Sequence, residues 1–183
     1  AIEHYYSLLR GSNRYHRRMG YESLSFAGRT LLNRRYVSIE AETDPVVCRF
    51  MISYLSSGAS RPWGSSYLPN VQVWTEIFKR NFQSIENPEI IPFILYRLGD
   101  YSGAEWFVEN LEVESPYIDW VSAKIELRRG HLDKALELLQ SAARSFPADD
   151  VWYYTKDDLN FSYTPAGISM AESCVLLLSR QDY

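Results

Sequence analysis

The sequence predicts an all-α chain, and three observations carry that expectation. Apolar residues recur at spacings of three and four along most of its 183 residues, the period of an amphipathic helix. No sustained apolar/polar alternation is bounded by Asn-Gly or Asp-Gly, so strand signals are weak throughout. Beyond Asn87-Pro88 the sequence repeats itself at an offset of 31 residues, the mark of stacked helical hairpins.

The elements follow in order. A short helix is expected over residues 2–10, closed by Gly11-Ser12-Asn13, and a longer one over 21–36 with Leu24, Ala27, Leu31 and Leu32 on one face. Asp44 is a good N-cap and Pro45 a good first-turn residue. They open a helix whose apolar face is Val46, Val47, Phe50, Met51 and Leu55, and Ser56-Ser57-Gly58 stops it. Residues 60–69, rich in Ser, Gly and Pro, read as a loop before an amphipathic helix over 71–82 that carries Val73, Trp74, Ile77 and Phe78. Residues 1–86 thus form an N-terminal helical region of a type these residues do not specify, and the repeats occupy 87–183.

Aligning residues 94–116 with 125–147 gives five identities in 23 positions: Ile94 with Ile125, Arg97 with Arg128, Gly99 with Gly130, Ala104 with Ala135 and Pro116 with Pro147. Each type has a physical reason. A glycine just past a helix takes the left-handed conformation without steric cost. An alanine where two helices cross lets the backbones approach. A proline stops the second helix and begins the connection to the next unit. The spacing predicts helix pairs over 88–98 with 101–113 and 117–128 with 132–145.

The stretches Gly99-Asp100-Tyr101-Ser102-Gly103-Ala104 and Gly130-His131-Leu132-Asp133-Lys134-Ala135, followed by Leu139, Ala142 and Pro147, resemble tetratricopeptide repeats. Residues 167–183 resemble the first helix of a third, truncated unit. The resemblance implies a right-handed stack of antiparallel helical hairpins, a TPR-like α-solenoid. It also implies a non-enzymatic scaffold that mediates protein–protein interaction or assembly of a complex. In such stacks the first helices line the concave face, where Arg97 and Arg128 share one phase and Tyr96 and Lys124 complete the candidate binding set. This row suits a protein or peptide partner of acidic character. The competing reading pairs the arginines with Glu or Asp on neighbouring helices, and both stay open here. Trp152, Tyr153 and Tyr154, with Phe161 and Tyr163 nearby, form a second candidate surface in a segment that breaks the period; they serve recognition or cap the core at the junction. At the chain's end, residues 175–178 are the apolar part of a first helix and Gln181-Asp182-Tyr183 reads as the opening of its partner. The uncovered face is expected to meet a further helix after Tyr183 or another copy, giving self-association through the C-terminal helix.

Composition excludes several classes. Hydrophobic residues make up 46% and charged residues 23%, which rules out disordered and collagen-like chains, while 15% aromatic is unusually high. The longest apolar run, residues 174–178, falls far short of the roughly 20 residues of a membrane span. A net charge of −4 argues against a nucleic-acid partner. Residues 1–36 nevertheless carry a balance of +5, from seven arginines (Arg10, Arg14, Arg17, Arg18, Arg29, Arg34 and Arg35) against Glu3 and Glu22, so RNA binding there is a third, weaker reading. Cys48 and Cys174 read as buried small hydrophobes. His4, His16 and His131 are scattered, and neither a Gly-rich phosphate loop nor a nucleophile elbow is present, since Gly64-Ser65-Ser66 lacks the second glycine. No metal, cofactor or catalytic residue is therefore expected. Asp149-Asp150 and Asp157-Asp158 read as capping and turn residues. The rival from another class is a fragment of a larger enzyme or carbohydrate-handling protein whose repeats support a catalytic site elsewhere. No signal peptide is visible, and cytoplasm and periplasm both stay open.

Overall fold

The structure, a computed structural model, describes residues 14–33, 43–56, 68–147, 152–156 and 159–179. Its class is all-α: eight α-helices, one 3-10 turn and a two-stranded ribbon occur among the described residues. The chain divides at Pro88 into two units, and each is taken by itself.

The first unit holds α1 (Arg14–Leu32), α2 (Pro45–Ser56) and α3 (Leu68–Asn81), each packed on the other two. Of the face expected on α1, Leu24 and Leu32 are buried and Ala27 and Leu31 half-buried. Asp44 caps α2 as its side chain predicts, accepting from the Val46 N–H at 2.8 Å. Phe50, Met51 and Leu55 of α2 meet Val71, Trp74, Ile77 and Phe78 of α3 in the core, so that Val71 takes the place expected of Val73. Helices α1 and α2 come this close because residue 28 is glycine: a Cβ there would lie 2.3 Å from the Tyr54 ring. The Trp74 indole N–H donates to the Leu31 carbonyl at 3.3 Å and ties α3 to α1. Cys48 is fully buried, which together with the Asp44 charge pushes its thiol up to about 11. The helix expected over residues 2–10 lies outside the described residues.

The second unit runs α4 (Ile90–Leu98), α5 (Tyr101–Asn110), α6 (Pro116–Arg129), α7 (Leu132–Ser145), β1 (Trp152–Lys156), β2 (Leu159–Tyr163) and α8 (Pro165–Ser179). Helix α4 packs on α5, α6 packs on α4, α5 and α7, and α8 packs on α7. The tight turns of the two pairs are built alike. Gly99 and Gly130 stand at φ 90° and 82°, and each donates to the carbonyl three residues back at 3.1 Å. The next N–H, of Asp100 or His131, reaches the carbonyl five back at 2.9 Å, closing a Schellman motif in both turns. Ala104 and Ala135 are fully buried. Pro92, inside α4, falls in the first turn, where its missing N–H has no partner to lose.

Three sequence expectations are corrected. Pro116 does not stop α5, which ends at Asn110; it opens α6 as the first helical residue, with Ser115 accepting from the Tyr117 N–H at 3.3 Å. The segment after α7 is not helix or turn alone, since β1 and β2 pair antiparallel with Trp152 opposite Tyr163 and Tyr154 opposite Phe161. Aromatic and β-branched residues favour that extended backbone, and Asp157-Asp158 between them lacks the glycine that would announce a hairpin. Cys174 is exposed, because α8 turns Ser169 and Ser173 inward and leaves Met170, Cys174, Val175 and Leu178 outside.

Candidate functional site

The i, i+3 and i+4 spacing of a helix puts Phe93, Tyr96 and Arg97 on one face of α4, and Tyr117, Trp120, Lys124 and Arg128 on one face of α6. The packing of α4 on α6 joins the two faces into a row. Phe93 meets Tyr117 and Trp120 edge-on at centroid distances of 5.5 and 5.4 Å, and Tyr96 meets Trp120 at 5.9 Å and Tyr101 at 5.0 Å. These edge-to-face contacts make a continuous aromatic floor. Phe93 and Trp120 are buried, Tyr96 and Tyr117 half-buried, and Tyr101 partly open to solvent.

Three cations lie on this floor. The Arg97 guanidinium sits 5.3 Å from the Phe93 ring centre, that of Arg128 3.9 Å from Tyr101, and the Lys124 ammonium 4.8 Å from Trp120. All are within the range of cation–π attraction. Burial pushes the Tyr96 phenol above its ordinary value, and the Arg128 charge opposes that rise. Lys124 is occupied: Glu172, reaching over from α8, places one oxygen 2.5 Å from the Lys124 ammonium and the other 3.1 Å from the Trp120 indole nitrogen. A carboxylate is thus held at both oxygens by a cation and an indole N–H.

The structure therefore brings Arg97, Arg128, Tyr96 and Lys124 to one cluster. Trp152, Tyr153 and Tyr154 sit on strand β1, away from the row in sequence, and only their backbone pairing is described. The acidic pairs Asp149-Asp150 and Asp157-Asp158 lie outside the described residues, as do Arg10, Arg34 and Arg35.

A second polar cluster went unread in the sequence. Glu126, buried near the end of α6, accepts from Arg129 at 3.1 Å and Lys134 at 3.3 Å, and its other oxygen lies 2.6 Å from His131 Nδ1. The His131 hydrogen bond, with help from Lys134 and Arg129, holds the Glu126 carboxyl below its ordinary range although burial pulls the other way. Arg129 also bonds Glu105 and lies 3.9 Å from Glu109, both on α5. Glu105, Glu109, Glu126, Arg129 and Lys134 line a cleft of about 270 Å³ together with the apolar Val108, Ile125 and Leu138. The signal was present in the repeat alignment: Glu126 aligns with Leu95 and His131 with Asp100, so an acid stands where the first repeat has a fully buried leucine.

Among the described residues no group of His, Cys, Asp and Glu is placed to hold a metal ion, and no helix is long and apolar enough to cross a membrane. Comparison with protein-family models, curated proteins and solved structures returns no match.

Proposed function

We propose that the chain is a non-enzymatic scaffold of the tetratricopeptide type, a right-handed solenoid of helical hairpins. Its α4 and α6 row binds an acidic segment of a protein or peptide partner. The observation that carries this reading is the seat of Glu172, a carboxylate held between Lys124 and Trp120 on the same row that presents Arg97 and Arg128. Both arginines are exposed yet held within cation–π range of aromatic rings, which restricts their side chains before any partner arrives and reduces the entropy lost on binding. A guanidinium carries a planar fork of N–H donors that matches the two oxygens of a carboxylate. The repeat alignment at 31 residues and the two matching Schellman turns support the hairpin reading of the scaffold.

An array of random linear peptides tests the proposal. Binders should be enriched in Asp and Glu, and the enrichment should fade as salt rises from about 0.05 to 0.5 M, because exposed charge pairs are screened. An array without acidic preference would contradict it.

A further inference from the structure

Helix α8 turns small residues inward and leaves an apolar ridge outward. Its buried residues are Pro165, Ser169 and Ser173, and the serines bond back to the carbonyls four residues earlier at 2.9 and 2.8 Å, which satisfies them without help from α7. Three of its large apolar residues point away, Met170 at 60% exposed, Val175 at 64% and Leu178 at 62%, while Ile168, Leu176 and Leu177 are half-buried. These are three of the seven exposed large hydrophobic residues among the described ones, gathered on one helix. By helix angle, Met170, Cys174 and Leu178 form a single i, i+4, i+8 ridge, with Ala171 and Val175 beside it. The only charged residue in α8 is Glu172, which is turned toward α6 and held there by Lys124 and Trp120. The outward face therefore carries no charge.

We infer that this face pairs with the same face of a second copy, antiparallel, about a two-fold axis at Cys174. Two features select a copy of the chain over other occupants. An uncharged face meets itself without the like-charge repulsion that makes most surfaces poor self-partners. The ridge is also symmetric about its middle: a small residue, Cys174, has a large apolar residue four positions away on either side. In an isologous antiparallel crossing the small residues meet at the axis, and Met170 of each copy packs beside Leu178 of the other. Helix axes at about 8 to 10 Å, with Cα atoms about 2.3 Å from each axis, leave the two Cys174 Cα atoms roughly 3.4 to 5.4 Å apart, a range whose upper half meets disulfide geometry. The ridge is only about 12 Å long, so the interface belongs to the small, transient class, below roughly 1,200 Å² in total.

Sedimentation velocity across a concentration series, run under reducing conditions, reads the equilibrium. Copper-phenanthroline with air then reads the geometry, the two thiols losing two protons and two electrons to dissolved oxygen as one S–S bond forms. The expected result is a weak monomer–dimer equilibrium that Leu178→Glu weakens by at least about tenfold, because two carboxylates would then flank the axis. A single Cys174–Cys174 cross-linked product is expected on oxidation. Cys174→Trp separates the symmetric crossing from general stickiness: it adds apolar surface yet should weaken the dimer, since a bulky residue cannot sit on the axis. A chain monomeric at every concentration would overturn the inference. So would a dimer indifferent to Leu178→Glu, or one strengthened by Cys174→Trp. Circular dichroism on each variant confirms that the helices persist.

Discussion

Gly130 shows how far single residues can be read. Its position just past a helical period predicts a left-handed conformation, and it has φ 82° with nothing within 4 Å of where a Cβ would sit. Backbone strain alone then opposes a side chain, so Gly130→Ala should cost about 1 kcal/mol in urea unfolding, and an unchanged midpoint would place the turn in another conformation. Glu126 shows the opposite case. Sequence patterning treats it as a polar residue on a helix face, yet it is buried and surrounded by His131, Lys134 and Arg129, which the tight turn between α6 and α7 folds around it. Because its folded-state pKa lies below that of the unfolded chain, its contribution to stability is present above the ordinary carboxylate range and is lost as pH falls through the folded value. The thermal midpoint of the wild type should therefore fall more steeply on acidification than that of Glu126→Gln. Parallel acid limbs would mean that the carboxylate is not held as described.

At the scale of elements, α4 to α7 were legible because period, turn glycine and crossing alanine agree at each place. Their observed bounds, Ile90–Leu98, Tyr101–Asn110, Pro116–Arg129 and Leu132–Ser145, follow the expected spans, with α5 ending three residues early. Ala135 is fully buried on α7, and Ala135→Trp should destabilise the chain by roughly 1 to 3 kcal/mol or more by forcing neighbouring helices apart. A variant as stable as the wild type would put residue 135 on the surface. The ribbon β1–β2 escaped the sequence because its strands are only five residues each, too short for a period, and its turn lacks glycine. Helix α8 was legible as a helix, but its facing was not. An apolar-rich helix is ordinarily expected to bury its largest residues, whereas here Ser169 and Ser173 allow the close approach to α7 and Met170, Val175 and Leu178 remain outside.

For the whole molecule, charge and hydropathy exclude classes but do not locate a site. The row on α4 and α6 emerges only when the repeat phase of Arg97 and Arg128 is combined with the packing that sets Phe93, Tyr96, Tyr101 and Trp120 beneath them. Sequence phase supplied the arginines, and the tertiary contacts supplied the aromatic floor and the Glu172 carboxylate that marks its chemistry. The central claim is that this row recognises acidic segments. The most direct test takes an acidic peptide selected from the array and measures its affinity by calorimetry for the wild type and for the double variant Arg97→Ala, Arg128→Ala. Hydrogen bonds from charged groups are worth about 1.5 to 3 kcal/mol each, so binding should weaken by roughly 2 kcal/mol or more, about thirtyfold, with helicity and thermal midpoint preserved. Unchanged affinity in a folded double variant would contradict the account.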